Sequence, residues 1–134
     1  MIRFEKLEVP EKIYPYTDVT VAADYPNGIM GTVTNGVFTK GAGTVFIDQV
    51  EWGDDAYSEK FIIPKDAHAR TADITDEKLV GKTVNITADE LPTTYAVDDV
   101  LVADTTGLLK VGTGAGFKVI EKTKYGVRAV IVGA

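Results

Sequence analysis

The sequence predicts an all-β fold: a small single-domain barrel or sandwich of short antiparallel strands, with at most one or two single-turn helices. Short runs of β-branched and aromatic residues are separated by turn-forming residues at intervals of about 8–12 residues. No stretch keeps a helical period over about 11 residues or more. The 13 glycines supply the positive backbone angles that tight turns between short strands require.

The first half of the chain predicts an extended start followed by short strands and tight turns. Residues 1–18 are a candidate extended N-terminal arm, which packs either as an edge strand on its own core or on a neighbouring subunit. Asn35–Gly36 gives the strongest hairpin signal in the chain, because Asn–Gly favours the positive φ angles of a two-residue turn. The strands predicted in this half lie at 19–23, 29–33, 37–39, 44–47 and 61–63.

The second half predicts a polar loop at 65–73, and then strands separated by turns. The strands lie at 83–87, 97–103, 108–111, 117–121 and 127–132, with turns at Asp104–Gly107 and Tyr125–Gly126. Single helical turns are predicted at 76–79 and 88–91. We expect the second of these to be capped by Thr87 and stopped by Pro92.

Composition bounds the classes of function. The 134 residues fit one domain, residues 1–134, with a sizeable core. The net charge of −6 argues against sequence-independent nucleic-acid binding, which depends on Lys and Arg neutralising phosphates. The chain has no cysteine, which excludes disulfides and thiolate zinc sites. No apolar run approaches the roughly 20 residues of a membrane span, and we expect no signal peptide.

Charge is unevenly distributed along the second half. Residues 89–104 contain five acidic residues and no Lys or Arg, whereas residues 110–128 contain five basic residues and one acidic residue. Segments of opposite sign pair within one fold or between copies of the chain, or they are simply solvated.

The candidate catalytic and metal-binding residues are few. His68, the only histidine, lies between Asp66 and Arg70 and is a conceivable general base, but no cysteine or nucleophile-elbow serine accompanies it. Asp54–Asp55 and Asp98–Asp99 offer oxygen ligands without the spacing of a calcium-binding loop. The segment 112–116 (GTGAG) lacks the spacing of a phosphate-binding loop. We therefore predict no catalytic residue, no cofactor and no metal site.

Four aromatic residues are the candidate interface. Tyr14, Tyr16, Tyr25 and Trp52 lie in or just before turns. Exposed aromatic residues at such positions suit a protein–protein interface. The alternative is that the four side chains cap the ends of the hydrophobic core.

A resemblance rests on residues 95–110 (YAVDDVLVADTTGLLK), followed by 117–121 (FKVIE) and 125–132 (YGVRAVIV). This segment, about the last third of the chain, resembles small structural proteins of tailed bacteriophages. In those proteins a G-D-x-L-V … G-x-L strand–turn–strand precedes a C-terminal strand. Asp98–Asp99 stands here where Gly–Asp is common.

The resemblance implies a virion protein of the phage head, assembled in the cytoplasm of the bacterial host. Many such proteins decorate or cement the capsid, so the expected partner is the phage major capsid protein, with a homo-oligomer on the capsid lattice. The expected role is binding without catalysis, with no nucleic-acid or membrane partner. Two alternatives stay open: a phage tail or neck component, and a carbohydrate-binding β module that uses Trp52 and the tyrosines as stacking platforms.

Overall fold

The computed structural model describes residues 1–4, 19–48 and 62–133, and it confirms the all-β prediction for a single small domain. Strands dominate these residues, and the only helix among them is one 3-10 turn at Ala88–Glu90. The strands are β1 Ile2–Phe4, β2 Thr20–Val21, β3 Tyr25–Pro26, β4 Met30–Thr34, β5 Val37–Lys40, β6 Val45–Ile47, β7 Ile62–Ile63, β8 Thr71–Asp73, β9 Thr83–Thr87, β10 Val100–Ala103, β11 Leu109–Val111, β12 Gly116–Lys122 and β13 Gly126–Val132.

A six-stranded antiparallel sheet forms one layer, in the order β1-β9-β13-β12-β10-β11. In β13 the residues alternate between the two faces: Val127, Ala129 and Ile131 are buried, and the residues between them are only half-buried. The final hairpin predicted at Tyr125–Gly126 joins β12 to β13. A bulge between Val119 and Glu121 interrupts the register of this hairpin.

A five-stranded sheet forms the second layer, in the order β2-β5-β4-β6-β8. All of its pairs are antiparallel except β2–β5, which is parallel. The predicted hairpin at Asn35–Gly36 joins β4 to β5, and both residues have the positive φ that this turn requires (51° and 76°). A two-stranded ribbon of β3 and β7 lies apart from both sheets in the pairing order.

Two hydrophobic clusters hold these elements together. The larger core joins the inner face of the six-stranded sheet to residues of the five-stranded sheet, among them Met30 and Phe46. The smaller core gathers Tyr25, Phe38 and Ile47 with residues around β2 and β7. Strand β6 is buried on both faces, because Phe46 belongs to the larger core while its neighbours Val45 and Ile47 belong to the smaller one.

The turn between β10 and β11 connects the two sheets. The predicted turn at Asp104–Gly107 forms, and Gly107 has φ +83°. Its carbonyl accepts a hydrogen bond from the N–H of Met30 on β4 (3.2 Å). A Cβ added at Gly107 would lie 2.7 Å from the Met30 carbonyl oxygen, so the close approach of the two backbones requires glycine here.

Three local predictions differ from the structure. The segment 65–73, predicted as loop, contains β8, because Thr71–Asp73 pairs with β6. The segment 76–79 forms hydrogen-bonded turns rather than a helical turn. A helical turn does follow Thr87, but its side chain does not cap that turn: its hydroxyl donates to the Glu90 carboxylate (3.2 Å) and accepts from the Met1 ammonium (2.5 Å).

Candidate functional site

The candidate catalytic and metal-binding residues do not converge in the part of the chain that the structure describes. His68 is exposed, and its backbone bridges to Thr20. Asp98 is exposed and lies 4.0 Å from the Lys118 ammonium, whereas the Asp99 carboxylate accepts the N–H of Ala96 (2.8 Å). Within residues 1–4, 19–48 and 62–133, no group of three or more acidic or histidine side chains is placed to hold a metal ion.

The four predicted interface residues are only partly within reach of the structure. Tyr25 is 7% exposed, and its ring packs edge-on against Phe38 (5.8 Å between centroids). This position corresponds to the core-capping alternative for that residue. Tyr14, Tyr16 and Trp52 lie outside the described residues, as do residues 5–18 of the predicted arm and the pair Asp54–Asp55.

A groove crosses the outer face of the six-stranded sheet at one end of β9 and β13. It consists of two adjoining cavities of about 570 and 240 Å³. Both cavities are lined by Arg3, Thr87, Thr123, Tyr125 and Gly126. We call the two cavities together the tyrosine groove.

Gly126 lies in the floor of the tyrosine groove, where β13 meets β9. Gly126 pairs with Thr87 across the β13–β9 ladder, and an added Cβ would overlap the carbonyl oxygen of Ile86. Glycine at this position therefore allows the backbones of β13 and β9 to approach each other closely. The larger cavity extends past Asp89 and Lys124 to Tyr95.

Tyr125 forms one wall of the groove and is 73% exposed. The backbone around it is fixed on both sides, because its carbonyl accepts the N–H of Ala88 (3.0 Å) and the N–H of Thr123 donates to Gly126 (2.9 Å). The exposed ring is therefore carried by a rigid hairpin rather than by a loose loop.

Cationic side chains accompany both tyrosines of the groove. The Lys124 ammonium lies 5.4 Å from the ring centroid of Tyr125, and the Lys122 ammonium lies 4.8 Å from that of Tyr95. Such distances are those of cation–π contacts. Among the described residues, the lining of the larger cavity includes the cationic side chains of Arg3 and Lys124 and the carboxylate of Asp89, and Lys122 lies beside Tyr95.

A second surface feature lies elsewhere on the outer face of the same sheet. Val130 lies beside Lys118 in the ladder, and Lys118 lies beside Val100. Because alternate residues point to opposite faces, the half-buried valines lie opposite the buried core residues. We call these residues the valine face: Val100, Val102, Val130 and Val132.

Glycines leave room for the valine face to pack closely. Gly116 pairs with Val132, and an added Cβ at Gly116 would lie 3.0 Å from Val102 and 3.1 Å from Val100. Lys110 lies beside Val102, and Lys118 lies between Val100 and Val130. The outer face of an antiparallel sheet is commonly polar, and here it carries valines around one lysine.

Sequence reasoning missed both surface features. The sequence predicts Tyr125 only as part of a turn, because the exposure of its ring depends on packing that the local sequence does not specify. The outward valines were read only as strand residues. In β10 and β13, valines occupy positions that alternate with the buried residues and therefore face outward, where polar residues are expected. These valines could have indicated the valine face from the sequence.

Comparison of the chain with family models, with curated proteins and with solved structures finds no match. The resemblance of residues 95–132 to structural proteins of tailed phages therefore stays a prediction. Among the described residues, no helix has the length and hydropathy that a transmembrane span requires.

Proposed function

We propose that this protein is a non-enzymatic structural protein of a tailed-phage head, which binds the capsid exterior as a homo-oligomer and stabilises the shell. The observation that carries the proposal is the valine face. The resemblance of residues 95–132 supplies the class of particle and the major capsid protein as partner. Assembly then takes place in the cytoplasm of the bacterial host.

The valine face suits binding because its side chains are β-branched and belong to a rigid sheet. Valine loses little side-chain freedom when it is buried, since its χ1 angle is already restricted. Complete burial of one such side chain contributes about 1.5–3 kcal/mol, and the valines here are already partly buried. A single contact of this kind is modest, but contacts linked on a lattice reinforce one another because each later contact is effectively intramolecular.

The lysines beside the valines favour an acidic partner surface. Lys110 is exposed at the rim beside Val102, whereas Lys118 lies between Val100 and Val130 and 4.0 Å from the Asp98 carboxylate. Complementary charge at the rim of an interface raises the association rate and fixes the orientation, and salt screens it. We therefore expect capsid binding to weaken as the ionic strength rises.

Co-sedimentation with capsids of the phage that encodes the protein tests the proposal. We expect saturable binding at a fixed copy number per shell, weaker at about 1 M salt than at about 0.1 M salt. A folded, soluble protein that does not sediment with these capsids would contradict the proposal. Rings or tubes in negative-stain images, without shell binding, would instead indicate the tail or neck alternative.

A substitution on the valine face tests which surface binds. Val130→Asp introduces a negative charge into the face, and we expect it to abolish sedimentation with capsids. The matched control is Val37→Asp, which changes a valine that is 37% exposed on the five-stranded sheet. Thermal unfolding checks that both variants fold, and Val130→Thr, which keeps the shape of valine, replaces Val130→Asp if it does not. Equal loss of binding in both aspartate variants would exclude the valine face as the contact.

A further inference from the structure

We infer that the tyrosine groove is a binding site for an anionic oligosaccharide, with Tyr125 as the platform on which a sugar ring stacks. This inference goes beyond the proposed function and does not rest on it. The groove and the valine face involve different residues of the six-stranded sheet.

The backbone that carries Tyr125 is ordered before a ligand binds. The Tyr125 ring is 73% exposed, while hydrogen bonds from Ala88 and Thr123 fix the backbone on both sides of it. A ligand that stacks on this ring does not have to order a loop, so little of the binding free energy is lost to conformational entropy. The apolar face of a pyranose ring matches an exposed aromatic ring of this kind.

The walls and floor of the tyrosine groove carry hydroxyl and amide side chains. Thr123 and Thr87 line both cavities, and Asn85 lines the smaller one. Hydroxyl and amide groups form hydrogen bonds with the hydroxyl groups of a sugar as both donors and acceptors. The cavity of about 570 Å³ lies within the range of about 300–1,000 Å³ that small-molecule sites occupy.

The charges around the tyrosine groove favour an anionic ligand. Among the described residues, Arg3 and Lys124 line the groove with Asp89, and Lys122 lies beside the Tyr95 ring, although the whole chain has a net charge of −6. A cationic groove on an acidic protein selects for a ligand that carries carboxylate or sulfate groups. The two lysines also lie within cation–π distance of the tyrosine rings, so a stacked ligand lies close to their charges.

The strand pairing in the floor of the groove favours a saccharide over an extended acidic peptide. Peptides that add to a sheet bind through unpaired backbone groups at a sheet edge. The floor of the groove is formed by β9 and β13, and each of these strands is paired on both sides within the six-stranded sheet. The edge strand β1 contributes Arg3 to the groove, but the floor offers side chains and the Tyr125 ring rather than unpaired backbone groups, which favours a ligand bound through hydroxyl and acid groups.

Titration calorimetry of the full chain with tetragalacturonate, a tetrasaccharide of uronic acids, tests the inference. We expect saturable binding that Tyr125→Ala weakens by about tenfold and Tyr125→Phe largely retains, because phenylalanine keeps the ring. Lys124→Ala should weaken binding by less. The matched control is Lys40→Ala, which changes an exposed lysine on β5 that does not line either cavity.

The neutral tetrasaccharide maltotetraose and the peptide hexaglutamate complete the experiment. Absence of tetragalacturonate binding up to about 10 mM would overturn the inference, as would binding that Tyr125→Ala leaves unchanged. Equal affinity for maltotetraose would overturn the anionic assignment, and binding of hexaglutamate alone would overturn the saccharide assignment. Because the Tyr125 side chain is mostly exposed, its substitution is expected to leave the unfolding temperature unchanged, which a thermal scan verifies.

Discussion

The six-stranded and five-stranded sheets share one domain, but the sequence specifies them in different ways. In the six-stranded sheet, β12 and β13 each run for seven residues and are joined by a tight hairpin. In the five-stranded sheet, the strands run for two to five residues, and β8 joins β6 across an intervening segment of the chain. Long alternating strands carry their own pairing signal, whereas short strands depend on the core that they meet.

The two cores show the same difference. Phe46 packs against Phe4 (5.4 Å between centroids) and Phe117 (6.1 Å), so one ring of the five-stranded sheet is held by two rings of the six-stranded sheet. Phe38, in the smaller core, packs against Tyr25. The five-stranded sheet is therefore held in place largely by its contact with the longer one.

Replacement of Phe46 tests this dependence with the largest expected effect. Phe46→Ala removes a fully buried ring that contacts both sheets, and we expect the free energy of unfolding to fall by about 3–5 kcal/mol. Phe38→Ala, an equally buried phenylalanine of the smaller core, should cost less. Urea denaturation measures both values, and a larger loss for Phe38→Ala would reverse the ranking of the two cores.

Replacement of Gly107 tests the connection between the sheets with a smaller effect. Gly107→Ala combines an unfavourable positive φ with contact against the Met30 carbonyl, and we expect it to cost about 2–3 kcal/mol. Gly81→Ala is the matched control: Gly81 has φ +89°, but an added Cβ has no atom within 4 Å. We expect that control to cost about 1 kcal/mol. Equal costs in urea denaturation would mean that the contact with β4 contributes nothing.

The Asp104 carboxylate gives the smallest expected effect, visible in the pH dependence of stability. Burial by itself raises the pKa of Asp104. Hydrogen bonds from the Thr106 hydroxyl (2.5 Å) and N–H (2.7 Å), with help from Leu108 and Lys110, outweigh burial and hold the pKa below its ordinary value. Because the folded pKa is lowered, the carboxylate stabilises the fold fully above about pH 4, and this contribution is lost as pH falls through the folded pKa.

Asp104→Asn isolates this contribution. We expect the variant to be less stable than the wild type at pH 7 and the difference to shrink as pH falls below about 4. Thermal unfolding at a series of pH values measures the difference. A gap that stays constant from neutral to acidic pH would show that the ionised form of Asp104 does not stabilise the turn.

The sequence predicted the elements that local residues specify and missed those that depend on packing against other parts of the chain. Asn35–Gly36 and Asp104–Gly107 identified their turns, because the positive φ angles required there restrict the residue types. The hairpin predicted at Tyr125–Gly126 also forms, but glycine is required there by the close approach of the Ile86 carbonyl oxygen. Strand β8 was missed, because Thr71–Asp73 lies in a polar segment and becomes a strand only through pairing with β6. The interface prediction could not separate Tyr25 from an exposed tyrosine such as Tyr125, because both precede turn residues and only packing distinguishes them.

The hydrogen bond between Met30 and Gly107 has a consequence for how the molecule opens. Amide hydrogen exchange occurs through local openings, and regions that open together exchange with the same free energy. The Met30 amide belongs to the five-stranded sheet, but it donates to the Gly107 carbonyl in a turn of the six-stranded sheet. We therefore expect the Met30 amide to exchange only when the β10–β11 turn separates from β4, so its protection reports the contact between the two sheets.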